Sequence, residues 1–115
     1  MAVLALTPVK GEVNKITKFA FEAATTAEDG VSFKLPHVTE EYLVILVQNT
    51  GSGAGTIKLK APTTGSYAAT SSDEELSLAA GEFAQIRVES ARFANHDGTI
   101  NLVPSATSVK IAVLY

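Results

Sequence analysis

Turn-forming residues punctuate this sequence every ~8–12 positions, and the segments between them are too short for the helices of a bundle or a βαβ fold. No apolar run exceeds Tyr42-Leu43-Val44-Ile45-Leu46-Val47. Its β-branched content favours a strand over a helix, and apolar residues on both faces mark a strand covered on both sides. Val31-Ser32-Phe33-Lys34-Leu35 alternates strictly and stops at Pro36, so it reads as a strand ending at a turn.

The remaining segments follow the same grammar. Asn49 to Gly55 reads as a flexible turn, and Thr56 to Ala61 alternates with Ile57 and Leu59 inward and Lys58 and Lys60 outward. Two strands flanking a glycine-rich loop predict a hairpin. Pro62 to Asp73 reads as a long loop. Leu76-Ser77-Leu78 reads as a short strand, Ala79 to Glu82 as a turn, and Phe83 to Glu89 as a strand with Ala84, Ile86 and Val88 on one face. Asn95-His96-Asp97-Gly98 is a turn by composition, and Thr99 to Val103 and Val109 to Tyr115 supply the last two strands. Val13 to Ala24 alternates only loosely, with Phe19 and Phe21 on one face, and fits a helix or a strand. The sum is about eight short strands without repeats or an internal linker. The expected fold is all-β, a single antiparallel β-sandwich or jelly roll.

Composition narrows the function classes. The 115 residues suffice for one domain, and a chain of this size hides roughly two-thirds of its unfolded surface without staples. No cysteine is present, which removes disulfides, thiolate metal sites and cysteine nucleophiles. The only histidines, His37 and His96, poorly supply a metal site. Nine basic against twelve acidic residues, a net charge of −3, argue against a nucleic-acid binder. No apolar run approaches the ~18 residues of a membrane span. Met1 to Leu6 is too short for a signal-peptide core and lacks a preceding positive charge. The chain therefore reads as a complete small gene product kept inside a cell or particle.

Residues with chemical potential read mostly as turn and surface features. Gly51-Ser52-Gly53-Ala54-Gly55 lacks the lysine and following helix of a phosphate loop. Ser90, His96 and Asp97 hold the letters of a hydrolytic triad, but adjacent His96 and Asp97 poorly fit its geometry. Asp73-Glu74-Glu75 lacks the alternating oxygen ligands of a calcium loop. Neither a cofactor nor a metal is expected. Glu40-Glu41 reads as a charged gatekeeper of the central strand, and His37 as an exposed loop histidine. Lys10, Lys15, Lys18, Lys58 and Lys60 either gather to meet an acidic partner or guard strand edges. Arg92 and Phe93 interrupt the alternation: Arg92 reads as an interface anchor, and Phe93 as an anchor or an end-cap of the core.

Glu89-Ser90-Ala91-Arg92-Phe93, followed by Asp97-Gly98-Thr99-Ile100-Asn101, resembles small virion proteins of tailed bacteriophages, the capsid accessory or head decoration group. The run Leu43 to Asn49, the small-residue loop, the lysine-bearing strand Thr56 to Ala61 and the turn Ala79-Ala80-Gly81 extend the resemblance over Val38 to Tyr115. It implies a non-enzymatic protein on the capsid surface of a virion, assembled in the host cytoplasm. Its partners would be the major capsid protein and copies of itself as a homotrimer. Residues 1–9, set off by Pro8, would then form an arm reaching a neighbouring subunit, with residues 10–115 as the sandwich. The expected contacts are Val3, Leu4 and Leu6 of the arm with Arg92, Phe93 and His96. Two rivals stand beside this reading. One is a carbohydrate-binding sandwich module, for which Tyr42, Tyr67 and Phe83 are the stacking aromatics in a chain without tryptophan. The other is a phage tail or fibre component.

Overall fold

The computed structural model describes residues 3–35, 43–64, 72–88 and 90–115. Eight strands are present among them: β1 (Leu4–Ala5), β2 (Val31–Lys34), β3 (Val44–Asn49), β4 (Gly55–Leu59), β5 (Glu74–Leu78), β6 (Phe83–Ile86), β7 (Thr99–Pro104) and β8 (Val109–Leu114). A single helical turn, Ser90–Phe93, joins β6 to β7. Five strands form one sheet in the order β1-β2-β7-β4-β5, and three form the other in the order β6-β3-β8. All pairs are antiparallel except β1 with β2, where Leu4 opposes Val31. The protein is all-β and sandwich-like.

Period-two burial explains how the sheets meet. Side chains alternate across a strand, so Val31 and Phe33, Ile57 and Leu59, and Ile100 and Leu102 point inward from the larger sheet. Ile45 and Val47 of β3, with Val109, Ile111 and Val113 of β8, point inward from the smaller one. All belong to one hydrophobic cluster. Leu78 of β5 and, outside the strands, Leu6, Ala24, Leu43, Val88 and Phe93 complete it.

Part of the pairing is nested. Glu22 bridges Ile111 of β8 in antiparallel sense; β2 pairs with β7, β3 with β6, and β4 with β5. In these four pairings each earlier segment meets a progressively nearer later one, while β3 also pairs with β8 and β4 with β7. One consequence corrects the sequence reading: β3 and β4 do not form a hairpin. The glycine-rich loop carries the chain from the smaller sheet to the larger one. The β5–β6 and β7–β8 connections cross between sheets in the same way.

Asn49, at the inward-facing end of β3, holds these crossings. It is the one buried polar side chain among the described residues. Its Nδ2 donates to the carbonyls of Gly53 (2.9 Å), Leu78 (3.1 Å) and Ala79 (3.3 Å), and its Oδ1 accepts the Gly51 N–H (3.0 Å). Its backbone bonds Glu82 and Gly81 beyond β5, and the neighbouring Thr50 bonds Ser108 before β8 through both N–H and hydroxyl. One carboxamide thus ties the β3–β4 loop to the end of β5 and the turn beyond it.

Two further corrections concern the N-terminal third. Residues 3–9 do not stand free as an arm. Leu4 N–H donates to Gly30, and Leu6 N–H to Ser32 at 2.7 Å, so β1 covers the edge of β2 with Leu6 buried. Val13 to Ala24 forms neither helix nor strand. Only Glu22 pairs with β8, while residues 10–20 are exposed. Gly30 permits the turn into β2: its φ is +71°, and a Cβ there would lie 2.3 Å from the Leu102 carbonyl oxygen.

Asn49→Leu keeps the volume but removes the side-chain donor to the Gly53, Leu78 and Ala79 carbonyls and the acceptor of the Gly51 N–H, and is expected to cost about 1–3 kcal/mol in urea unfolding. Asn49→Asp, which aims a carboxylate at the same carbonyls, is expected to be at least as damaging near neutral pH.

Candidate functional site

The structure separates the residues expected at a partner contact. Val3 is half exposed, but Leu4 packs on the core and Leu6 belongs to it. Phe93, the last residue of the helical turn, is likewise buried in the core, which fits its reading as an end-cap of the core and not the one as an interface anchor. A helical turn places alternate contacts on different sides, so Arg92 remains exposed while Phe93 turns inward, their guanidinium and ring centroid 6.0 Å apart. His96 is exposed, and its N–H donates to Thr64 Oγ1. Leu4 opposes Val31, whereas the turn holding His96 bonds Leu35 through Gly98. Leu4 and the His96 turn thus lie toward opposite ends of β2, about 13 Å apart by strand rise.

The 95–98 segment spends its polar groups on shape. Asn95 Oδ1 accepts from the N–H and hydroxyl of both Thr63 and Thr64, and its Nδ2 donates to the Thr99 carbonyl. Asp97 Oδ1 accepts the Thr99 N–H at 3.0 Å, and hydrogen bonding by the Thr99 side chain first, and by this N–H second, holds its carboxyl below the usual range. The Ser90 side chain, His37, Glu40, Glu41, Tyr42 and Tyr67 lie outside the described residues. Among the described ones no group of three metal-ligating side chains occurs, and no helix is long and apolar enough to cross a membrane.

The acidic stretch Asp73-Glu74-Glu75 is partly committed as well. Asp73 accepts the Ala61 N–H (2.7 Å) and pairs with Lys60 (3.0 Å), while Glu75 lies 3.8 Å from Lys58. These contacts join β4 to β5 and divide the lysines into two groups: Lys58 and Lys60 on the larger sheet, Lys10, Lys15 and Lys18 on the 10–19 segment.

What the fold assembles instead is an apolar surface over the smaller sheet. Outward from that sheet point Val44 and Leu46 of β3, Ala112 and Leu114 of β8, and Phe83 and Gln85 of β6, with Gln48 and Lys110 at the end nearest Phe83. The N-terminal segment crosses this face. It is tied to β8 at one end by Val9 and Gly11, which donate to Val113 and Tyr115, and at the other by the reciprocal bonds of Glu22 and Ile111. Phe19, Phe21 and Phe83 form an edge-to-face series with ring centroids 5.7 and 6.1 Å apart. A cleft of about 350 Å³ opens between this segment and the sheet, lined by Val9, Lys15, Phe19, Val44, Leu114 and Tyr115. A second, of about 280 Å³, lies between Phe21, Leu46, Phe83 and Gln85. Phe83 is 66% exposed.

Sequence reasoning noticed Phe19 and Phe21 on one face and Phe83 as a stacking aromatic, but did not join them. Their only joint signal was an apolar character unexplained by any regular strand. No protein-family model, characterised protein or solved structure matches the chain, so surface chemistry and topology carry the functional argument.

The Asp73 contact has a measurable pH signature. The Ala61 N–H first, and Lys60 second, lower its pKa from the usual 3.8. A depressed folded pKa contributes stability above the unfolded value and loses it as pH falls through the folded one. The difference in urea stability between wild type and Asp73→Asn is therefore expected to favour wild type at neutral pH, by no more than about 1 kcal/mol for so exposed a pair. It should close as the pH drops below 3.8.

Proposed function

We propose that this protein is a non-enzymatic structural component of a virion, a jelly-roll module of the head-decoration kind that binds and stabilises the outside of an assembled phage capsid. The jelly-roll reading draws on the nested pairings Glu22–Ile111, β2–β7, β3–β6 and β4–β5 across two sheets. Jelly rolls recur in viral capsid and lectin domains, where they present surfaces. The virion assignment rests on the resemblance of residues 89–101 and of the strands around them.

The observation that carries the functional reading is the exposed aromatic face. The core is already continuous between the two sheets, so Phe83 and Phe19 are not needed to close it. An apolar face left open on a closed domain favours burial against a partner. The major capsid protein is the partner proposed. A protein that binds only the assembled shell shifts assembly toward it by mass action. Copies of the chain are the second partner.

Phe83 beside Gln85 also supports a second reading, a carbohydrate-binding module. Sugar stacking uses an open ring face, whereas the phenylalanines here meet edge to face at 62° and 64°. Shell adhesion is therefore preferred.

Co-sedimentation with assembled capsids tests the proposal. Wild type is expected to pellet with shells and to raise the temperature at which they disrupt. Phe83→Asp, altering an exposed position, is expected to weaken pelleting at least about tenfold while remaining folded. Binding to a glycan array but not to shells would replace the first reading with the second, and binding to tails but not heads would move the protein to the tail.

A further inference from the structure

We propose that copies of this chain associate head to tail, Val13 and Ile16 of one copy seating in the open edge between β5 and β6 of the next. This deepens the proposed self-association and rests on that reading.

The projecting element is a shaped turn. Asn14 takes a φ of +64°, a conformation asparagine tolerates. The Lys15 N–H reaches the Glu12 carbonyl at 3.3 Å, and their side chains pair at 3.1 Å. The flanking bonds to β8 fix the base of this turn. Yet Val13 is 88% exposed and Ile16 fully so. Three local constraints thus hold two large aliphatic side chains out in water, an arrangement that lowers the ordering cost of a contact made there.

The receiving element arises from unequal sheets. Leu76 opposes Ile57 and Glu74 opposes Leu59, so both point to the inward face of the larger sheet. Leu76 nevertheless remains 44% exposed, because the three-stranded sheet stops at β6 and leaves β5 uncovered. The result is a cleft of about 220 Å³ lined by Ile57, Leu59, Leu76 and Ile86, with Glu74 and Glu75 at its mouth. An aliphatic side chain fits its volume and chemistry.

Charge selects the occupant. The turn carries Lys10, Lys15 and Lys18 against Glu12, whereas the edge carries Asp73, Glu74 and Glu75 against Lys58 and Lys60, which leaves Glu74 as its unpaired charge among the described residues. Lys10, Lys18 and Glu74 have no ion-pair partner among the described residues. A basic, aliphatic projection therefore matches an acidic, aliphatic cleft, and complementary charge fixes the register of such contacts. One copy does not fill its own cleft, since the turn hangs from β8 and the cleft opens beyond β6, at the other end of the smaller sheet. Two different patches in contact make the interface heterologous, the type that forms a ring where the rotation between copies closes and an open filament where it does not.

Light scattering of the full chain without capsids tests this separately from shell binding. Wild type is expected to form a discrete oligomer whose dissociation constant rises with salt. Ile16→Asp should weaken association at least about tenfold. Lys18→Glu should also weaken it, and adding Glu74→Lys to that variant should restore it. Mixing Ile16→Asp with Leu76→Asp should yield a one-to-one heterodimer, because one intact turn and one intact cleft remain. Should Leu76→Asp fail to fold, Glu74→Lys takes its place in the mixture. A monomeric wild type, an oligomer indifferent to Ile16→Asp, or a mixture without heterodimer would each overturn the proposal, the last in favour of a face-to-face dimer.

Discussion

A buried carboxamide governs this architecture. Chain passages between two sheets leave backbone groups at the sheet ends with no strand to pair with, and burial makes each such group costly. Three passages converge near the end of β3, and Asn49 reaches two of them with its side chain and the third through Thr50. An aliphatic residue there would extend the inward row of Ile45 and Val47 but would lose the side-chain bonds to Leu78 and Ala79 that tie β3 to the end of β5. One polar residue at the end of an apolar row thus reconciles a dry core with wet crossings.

The topology that these crossings permit distributes edges unevenly. On one side β1 covers β2, while residues 9–11 and Glu22 cover β8. On the other, β5 and β6 end their sheets with no further strand among the described residues. Exposed strand edges invite association, and proteins manage them with charge or cover. Here one side uses cover and the other uses Glu74 and Glu75. The excursion that provides the cover also carries the aliphatic turn, so the two sides of the molecule end up chemically complementary. That pairing of surfaces follows from the fold before any partner is considered.

Alternation made most of the strands legible: Ile57 and Leu59, Val109, Ile111 and Val113, and Ala84 and Ile86 share faces as their spacing predicts. Pairing partners were not legible, because a Gly-x-Gly-x-Gly loop serves a hairpin and a sheet crossing equally well. Only the nonlocal bonds of Asn49 distinguish the two. The expected strand count included Val13 to Ala24, whereas the structure takes its short β1 from Leu4–Ala5, a segment whose apolar residues fit an arm and an edge strand alike. Phe93 and Arg92 show the same limit within four residues, since one turn of helix buries one and exposes the other. The candidate surface was legible only as loose ends, because the exposure of Val13 and Ile16 depends on where their flanks are tied.

The segment that most resembles virion proteins, residues 89–101, is spent largely on building the turn before β7 through Asn95, Asp97 and Gly98. Partner chemistry is concentrated elsewhere, on the aromatic face and on the two complementary edges. In the proposed arrangement these tasks are physically separable: the edges join copies side by side, and the outer face of the smaller sheet meets the shell. Separation matters energetically, because a small apolar face gives weak binding once the ordering costs of association are met. Joined copies convert the second and later shell contacts into intramolecular events, which multiplies avidity without enlarging any single contact. A small domain with an open aromatic face therefore gains more from a ring contact through Ile16 and Leu76 than from a larger patch, which would expose more apolar surface on every unassembled copy.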